Sequence, residues 1–179
     1  MLRTRTKAWL ARTNNRLIKN IPNRQPMKSV RQASSADLDR IKRLAKETID
    51  KCYRSFLGDE GVDWFINGGG SDREINQHLE DIVVLEVDGT IQGYCAAEEG
   101  FIHSLMIKPQ LQGTGLGGYL LAQVEAMQHA QGYEHLRLET FKANEQALNF
   151  YQKQGWSIAT EERDESFGLV RVFMRKILD

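Results

Sequence analysis

The sequence is organised around a glycine-rich stretch, residues 112–118, which reads Gln112-Gly113-Thr114-Gly115-Leu116-Gly117-Gly118. An apolar run over residues 101–107 precedes it, and apolar residues recur every three or four positions over residues 116–129. This order predicts a strand, a tight turn and the beginning of a helix. Glycine lets the backbone come close to a phosphate, and the free N–H groups of a first helical turn point towards it. The stretch is therefore predicted to bind an anionic ligand.

The first part of the chain upstream of this turn predicts a strand and an amphipathic helix. Residues 29–33 are a short candidate strand. Apolar residues then recur at helical spacing over residues 38–56, and Gly58 is expected to end the helix. Residues 59–70 are predicted to be a loop because they hold several glycines and acidic residues.

A second, short helix and an antiparallel meander are predicted next. Ser71 and Glu74 have the spacing of a capping box, which predicts the start of the helix. Residues 82–87 and 91–97 are apolar and rich in β-branched side chains, and they flank an Asp-Gly turn at residues 88–89. With the apolar run before the glycines, they make three consecutive strands.

Downstream of the glycine turn, the pattern predicts a strand, a helix and a closing pair of strands. Residues 135–141 are a candidate strand, and Asn144 is expected to cap the helix. Residues 156–160 and 167–177 are predicted strands around a charged turn at residues 161–165. The element order is β-α-α-β-β-β-α-β-α-β-β. It predicts an α/β protein of the α+β type, with a mixed, mostly antiparallel sheet flanked by helices.

The composition is that of one globular domain of 179 residues. No apolar run approaches the roughly 18 to 20 residues that span a bilayer. Cys52 and Cys95 are far apart, and no histidines stand near them at metal-ligand spacing. We therefore expect no disulfide, no metal and a reducing compartment, the cytoplasm.

Charge is unevenly distributed along the chain. Residues 1–31 hold nine basic groups and no acidic one, although the whole chain has a net charge of zero. We divide the chain into a basic N-terminal extension, residues 1–26, and a domain, residues 27–179. The extension has three interpretations: a targeting peptide, an arm that contacts nucleic acid or anionic lipid, or a weakly ordered appendage upstream of Met27.

The glycines alone also fit a dinucleotide-binding fingerprint. Gly113, Gly115 and Gly118 satisfy G-x-G-x-x-G, and Glu139 follows at a strand about twenty residues later. In that fold, however, the first glycine follows its strand almost at once, whereas residues 108–112 intervene here. The antiparallel meander upstream also disagrees with repeated parallel βαβ units. No Lys-Ser/Thr pair follows the glycines, which excludes a nucleotide P-loop.

Three motifs, in order, resemble those of a known family. The first is residues 105–109, Leu-Met-Ile-Lys-Pro, which resembles the family's fourth strand and its trailing proline. The second is residues 112–117, which fit Gln/Arg-x-x-Gly-x-Gly/Ala. The third combines Asn144-x-x-Ala147, Phe150-Tyr151 and Gly155-Trp156. By these motifs, residues 28–178 resemble the GNAT superfamily of acetyl-coenzyme A-dependent N-acetyltransferases, whose element order is also the one predicted above.

The resemblance implies a site for acetyl-coenzyme A (acetyl-CoA) and no metal. The amides of residues 112–118 would hold the coenzyme pyrophosphate, and Asn144 would contact the coenzyme. In the family, the fourth and fifth strands splay apart and pantetheine inserts between them. The backbone of Leu105, Met106 and Ile107 would then contact pantetheine and the acetyl carbonyl, while their side chains belong to the core.

The resemblance also implies the acid and the base of the reaction. Tyr151 would protonate the departing thiolate, since a phenol with a pKa near 10 can donate a proton at neutral pH. Glu139 matches in position a glutamate of the ribosomal-protein N-terminal acetyltransferases and is the first candidate base. Glu98, Glu99, His103 and ordered water remain alternatives.

The predicted activity is direct acetyl transfer to a primary amine, because no serine or cysteine is placed for an acyl-enzyme. The acceptor pocket would include Tyr53 and residues 64–66. Seven carboxylates near its mouth would favour a cationic amine: Asp59, Glu60, Asp63, Glu161, Glu162, Asp164 and Glu165. A small amine, a peptide N-terminus and a lysine side chain all fit. The rival hypotheses are a non-catalytic acyl-CoA-binding module and, less favoured, a nucleic-acid-binding protein. A homodimer is common in the family.

Overall fold

The computed structural model describes residues 26–165 and 168–178. The predicted N-terminal extension therefore lies, except for its last residue, outside the described residues. Within these ranges the helices are α1 (Leu38–Asn67), α2 (Gly70–Gln77), α3 (Leu116–Ala130) and α4 (Glu145–Lys153), with short 3-10 turns at Ser35–Asp37, Leu79–Asp81 and Pro109–Leu111. The strands are β1 (Lys28–Gln32), β2 (Ile82–Val87), β3 (Thr90–Glu98), β4 (Phe101–Ile107), β5 (His135–Phe141), β6 (Ser157–Asp164) and β7 (Leu169–Ile177).

In the described part of the chain, seven strands form one sheet in the order β1-β2-β3-β4-β5-β7-β6. Neighbours are antiparallel except β4 and β5, which are parallel. These two strands pair only at Phe101 with Arg137 and Ile102 with Leu138, and they separate beyond that point. The mixed, mostly antiparallel sheet and the element order predicted from sequence are confirmed, and the parting of the two central strands is present.

Side chains alternate across the sheet and create a core on each face. On one face, Leu120 and Val124 of α3 and Tyr151 of α4 pack against strand residues that include Leu136 and Leu138. On the other face, apolar residues of α1 and α2 pack against β2, β3 and β4. The sheet is thus covered on both sides, and the gap between β4 and β5 lies between the two helical layers. None of the described helices is both long and apolar enough to cross a bilayer.

The predicted loop at residues 59–70 is wrong, because the chain is helical there as far as Asn67. Gly58 does interrupt the helix, with φ 72° and ψ 168°, but the helix resumes directly after this kink. Val62 is completely buried in the core of that face, which holds the second segment in place. The Arg54 side chain also bridges the kink through salt bridges to Asp59 and Asp63.

The capping box predicted at Ser71 and Glu74 is also wrong. Helix α2 begins at Gly70, and Gly69 precedes it with φ 71°, a left-handed conformation that glycine adopts easily. Ser71 lies inside the first turn and is 2% exposed. A carboxylate cap occurs elsewhere, where the Ser34 backbone N–H and hydroxyl donate to Asp37 Oδ2 at 3.0 and 2.9 Å.

The charged segment at residues 161–165, predicted as a turn, belongs mostly to strand β6, which continues to Asp164. Backbone pairing with β7 holds this segment extended, with Glu161 opposite Val172 and Asp164 opposite Leu169. The strand is at the edge of the sheet and exposed along most of its length, so charged side chains are compatible with it.

A buried carboxylate near the start of α1 gives the fold a pH dependence. Arg31 donates to Asp37 at 2.8 Å and to Glu86 at 2.7 Å, and Asp37 is 3% exposed. The Arg31 guanidinium holds the pKa of Asp37 well below its usual range. Because this pKa is lowered in the folded state, the stabilisation is present above the unfolded pKa of about 4 and is lost as pH falls below it.

We expect Asp37→Asn to lower the free energy of unfolding by about 2 kcal/mol at pH 7, since it removes charge-assisted hydrogen bonds to a partly exposed arginine. The difference from the unmodified protein should shrink below about pH 4. Urea unfolding across pH measures both effects. Asp39→Asn, at an exposed position on the same helix, is the control and should change stability by less than about 0.5 kcal/mol. Equal stability losses in the two variants would contradict the assignment.

Candidate active site

The glycine turn connects β4 to α3 in a conformation that requires glycine at two positions. Gly113 has φ 77° and Gly115, the residue before α3, has φ 87°. A Cβ atom added at either position would meet nothing within 4 Å, so the space beside the backbone is open. The helix begins at Leu116, and the N–H groups of its first turn therefore have no carbonyl of the helix to bond. The turn presents an open, donor-rich surface to an anion.

Gly117 and Gly118 have a different reason to be glycine, which sequence reasoning missed. A Cβ at Gly117 would lie 3.3 Å from the Phe150 ring, and a Cβ at Gly118 would lie 3.4 Å from the Gln154 side-chain amide. The contact at Gly117 is tighter than ordinary van der Waals contact, and the one at Gly118 is at its lower limit. Gly117 in particular therefore allows α3 and α4 to approach each other closely.

Two polar side chains fix the shape of the turn. Gln112 donates to the Ile107 carbonyl at 3.1 Å and contacts Cys52 Sγ at 3.5 Å, and its own carbonyl accepts a hydrogen bond from Gln146 at 2.7 Å. Gln112 thus ties the turn to β4, α1 and α4 at once. The Thr114 hydroxyl donates to the Leu111 carbonyl at 2.6 Å.

The gap between β4 and β5 leaves one edge of β4 without a strand partner. Leu105, Met106 and Ile107 pair with β3 on one side but lie beyond the last pair with β5 on the other. Met106 and Ile107 are buried, as expected for core side chains. Because strand backbone groups alternate in direction, some N–H and C=O groups of this segment point into the gap. An extended ligand can pair with them as a strand would.

Asn144 and Tyr151 lie at the two ends of one face of α4. The Asn144 side chain accepts a hydrogen bond from the Ala147 N–H at 3.2 Å, which confirms the predicted helix cap. Tyr151 is 7% exposed and its ring centroid lies 5.5 Å from that of Trp156. Burial, and to a lesser extent interaction with Cys95 and Tyr53, raises the pKa of Tyr151 above its ordinary value.

The Tyr151 hydroxyl forms no hydrogen bond with any residue in the ranges that the structure describes. Among the described residues, the hydroxyl oxygen is not one of the fully buried polar atoms that lack a partner, so water or a ligand can reach it. Tyr53, which also influences the pKa of Tyr151, belongs to α1 on the opposite face of the sheet.

Glu139 lies on β5, on the sheet face opposite to the buried Leu138. Its carboxylate accepts from Arg171 Nη1 at 3.1 Å, and its side chain is 42% exposed. Arg171 also donates to Asp164 at 2.6 Å, and the pKa of Arg171 is raised, mainly by this second carboxylate. The candidate acid and the candidate base are thus on opposite faces of the sheet, on either side of the gap.

Two of the alternative bases lie together, and sequence reasoning missed their third neighbour. Glu98 Oε2 is 3.6 Å from His78 Nδ1 and 3.9 Å from His103 Nε2. The two imidazole rings stack at a centroid distance of 4.0 Å. Burial, followed by the neighbouring His78, lowers the pKa of His103. Glu99 is not part of this group and occupies the β3–β4 turn with φ 48°.

Four basic side chains offset part of the charge of the predicted acidic mouth. Of the seven carboxylates, five form salt bridges: Asp59 and Asp63 with Arg54, Glu161 with Lys142, Asp164 with Arg171 and Glu165 with Arg163. The expected attraction for a cationic amine is correspondingly weaker. Two of the residues predicted to line the pocket differ in their surroundings. Trp64 is 68% exposed. Tyr53 is surrounded by protein, and burial raises its pKa to about 12.

Comparison with known proteins assigns the family. The acetyltransferase (GNAT) domain family model matches residues 57–178. Over 76 residues, the chain is 36% identical to the peptidyl-lysine N-acetyltransferase YiaC of Escherichia coli K12; this stretch covers 42% of the chain and 49% of YiaC. The alignment thus spans about half the length of that relative.

Solved structures of GNAT proteins share the fold. The GCN5-related N-acetyltransferase from Rhodopseudomonas palustris has a TM-score of 0.73 at 16% identity, with 85% of this chain and 96% of that chain covered. The PaiA N-acetyltransferase from Thermoplasma acidophilum, solved in complex with coenzyme A, has a TM-score of 0.69 at 20% identity, with 84% and 99% covered. Because the family model spans more than half of the chain and the fold agrees, this chain belongs to the GNAT superfamily of acetyltransferases.

Proposed function

We propose that this protein transfers acetyl from acetyl-CoA directly to a primary amine, with a lysine side chain of a peptide or protein as the first candidate acceptor. The observation that carries the proposal is the unpaired edge of β4, which leads into an open glycine turn at a helix N-terminus. The lysine acceptor is suggested by the likeness to a peptidyl-lysine N-acetyltransferase. Peptide N-termini and small amines are the competing acceptors.

The residues present fit the coenzyme. The N–H groups of residues 112–118 would donate to the pyrophosphate, where Gly113 and Gly115 leave room for it. The backbone of Leu105, Met106 and Ile107 would pair with the extended pantetheine arm in the gap. Asn144 would contact the coenzyme from the start of α4. The start of α4 lies close to the glycine turn, because the Gln146 side chain donates a hydrogen bond to Gln112.

A cationic amine must lose two protons from its nitrogen, and the departing sulfur must gain one. The ammonium group loses its first proton to a base, and the neutral nitrogen then attacks the acetyl carbonyl carbon. The second proton leaves the nitrogen to water as the tetrahedral intermediate collapses. A β4 N–H in the gap would stabilise the oxyanion that forms. As the carbon–sulfur bond breaks, the Tyr151 hydroxyl would donate its proton to the departing thiolate. A phenol whose hydroxyl bonds to none of the described residues is free to make that donation.

Glu139 is the proposed base, and it must leave Arg171 to act. We expect Glu139→Gln to lower kcat/KM by about 100-fold, the lower range for loss of a general base. Steady-state kinetics as a function of pH also tests the role. A general base acts only when it is deprotonated, so kcat/KM of the unmodified protein should fall at acidic pH, and this fall should change in Glu139→Gln. Glu134→Gln, at an exposed position just before the same strand, is the control and should retain full activity. Full activity in Glu139→Gln would move the role to Glu98, His103 or water.

An acceptor screen tests the proposed function. The purified protein is incubated with acetyl-CoA and with peptides that have either a blocked N-terminus and one lysine, or a free N-terminus and no lysine, alongside small amines. Thiol release and mass spectrometry report the product. We expect acetylation of the lysine peptide and none of its lysine-to-arginine counterpart. Coenzyme binding without thiol release on any amine would instead support the non-catalytic module.

Several sequence predictions concern the setting of the enzyme. The boundary between residues 1–26 and 27–179, the cytoplasmic location, the homodimer and the absence of nucleic-acid binding stay predictions. Deleting residues 1–26 tests the nucleic-acid hypothesis directly, because an arm of this kind binds with strong salt dependence.

A further inference from the structure

We propose that His78, Glu98 and His103 form a binding site for a divalent transition-metal ion, with Zn²⁺ as the best-matched ion. We call these three residues the histidine–glutamate cluster. Each offers one ligand atom, and the three atoms lie within 4.8 Å of one another. The site contains neither Tyr151 nor Glu139, the proposed acid and base, although Glu98 and His103 are also alternatives for the base. It departs from the expectation of no metal that was drawn from the sequence.

The donor set matches the chemistry of zinc. Two imidazole nitrogens and one carboxylate oxygen are a common zinc ligand set, and water fills the fourth position of the tetrahedron. Ligand atoms around zinc are about 3.4 Å apart, given bonds of about 2.0 to 2.1 Å. The measured separations from Glu98 Oε2 to His78 Nδ1 and His103 Nε2 are 3.6 and 3.9 Å. The two rings are stacked, and a nitrogen lone pair lies in the plane of its ring, so the His103 imidazole must rotate out of the stack before both nitrogens point at one ion. The side chains of His103 and Glu98 are partly exposed, which leaves them free to make this movement.

The backbone brings these residues together from three separate elements. His78 is at the end of α2, where its N–H donates to the Glu74 carbonyl at 3.1 Å. Glu98 ends β3 and lies opposite Phe101. His103 is the extra residue of a β-bulge, since Ala96 pairs with Ser104 whereas Ala97 pairs with Ile102. A bulge re-aims a side chain, and here it turns His103 towards His78.

The carboxylates around the cluster favour a cation. Glu98 belongs to the cluster, and His103 also interacts with the carboxylates of Asp81 and Glu139. The salt bridge with Arg171 offsets part of the Glu139 charge. The remaining negative charge would attract a divalent ion to the cluster.

Titration of the full-length, metal-free protein with Co²⁺ and Zn²⁺ tests the site. We expect one Co²⁺ per chain with the visible absorption bands of a four-coordinate ion, displaced by Zn²⁺, and a zinc-dependent rise in melting temperature. His103→Gln and Glu98→Gln should each weaken binding by at least about 100-fold, beyond what loss of an outer-shell partner costs. Both positions are partly exposed, and melting without metal checks that the variants fold.

The chain supplies a matched control, because it has four histidines and only two belong to the cluster. The double variant His129→Gln/His135→Gln removes the other two and should bind cobalt as the unmodified protein does. Cys52→Ser should also bind normally. Unchanged affinity in His103→Gln, loss of binding in either control, or absence of the four-coordinate bands would each overturn the proposal.

Discussion

Replacing Gly115 with aspartate is expected to abolish coenzyme A binding. The change places a negative charge at the open turn where the pyrophosphate is proposed to bind, and its side chain fills the space beside the backbone. Loss of charge-assisted hydrogen bonds, at about 1.5 to 3 kcal/mol each, predicts an affinity reduced by at least about 100-fold. Isothermal titration calorimetry with coenzyme A measures it.

The other end of the same helix provides the control for this change. Gly132 follows α3, has φ 96° and, like Gly115, has nothing within 4 Å of an added Cβ. Aspartate at either position costs about 1 to 2 kcal/mol of backbone strain. The helix dipole favours aspartate before α3 and disfavours it after α3, so Gly132→Asp should be the less stable variant and yet bind coenzyme A. Equal binding by both variants would contradict the pyrophosphate assignment.

Tyr151→Phe is expected to reduce kcat by about 10² to 10⁴-fold, the range for loss of a positioned general acid. Coenzyme affinity should change little, since the ring and its packing against Trp156 are retained. The folded protein should also remain stable, because the structure gives the hydroxyl no hydrogen bond within the described ranges. Steady-state kinetics and coenzyme titration separate these effects. Tyr133→Phe, in the segment after α3, is the control and should leave kcat unchanged.

The pH dependence of the same variant adds a second test. Burial raises the pKa of Tyr151, so the phenol keeps its proton at pH values above its ordinary pKa of about 10. The acid is therefore present throughout the neutral and mildly alkaline range. For the unmodified protein, we expect no decline in kcat between pH 7 and about 10 that is caused by loss of the Tyr151 proton. A decline near pH 9 that disappears in the variant would contradict the raised pKa of Tyr151, whereas unchanged kcat in the variant at every pH would refute the acid role.

Much of this fold could be predicted because local patterns and tertiary packing agree. The meander over β2, β3 and β4 follows from alternating apolar residues and turn signals, and the start of α3 from the glycines. The family followed from three motifs in a fixed order, and the family model confirms it. Tyr151 and Asn144 were identified from the resemblance to the third family motif, and their spacing of seven residues places both on one face of a helix.

Two of the errors come from contacts between distant segments. Gly58 does break α1, but burial of Val62 restores helical structure that local propensity does not indicate. The histidine–glutamate cluster was hidden because a bulge and a helix end bring its members together. The error about the acidic surface has another cause: Arg54 and Arg171 lie five to nine residues from their carboxylate partners, and the carboxylates were counted without them.

The parting of β4 and β5 has a consequence for how the protein unfolds. Strands β1–β4 form one half of the sheet and strands β5–β7 the other, and two residue pairs between β4 and β5 join the halves. We therefore expect the helices to provide most of the coupling between the unfolding of the two halves. A ligand that pairs with the open edge of β4 completes the sheet and couples them. At a concentration 100 times its dissociation constant, such a ligand adds about 2.7 kcal/mol to the free energy of unfolding. Occupancy of the gap therefore also governs the thermal stability and unfolding cooperativity of the whole domain.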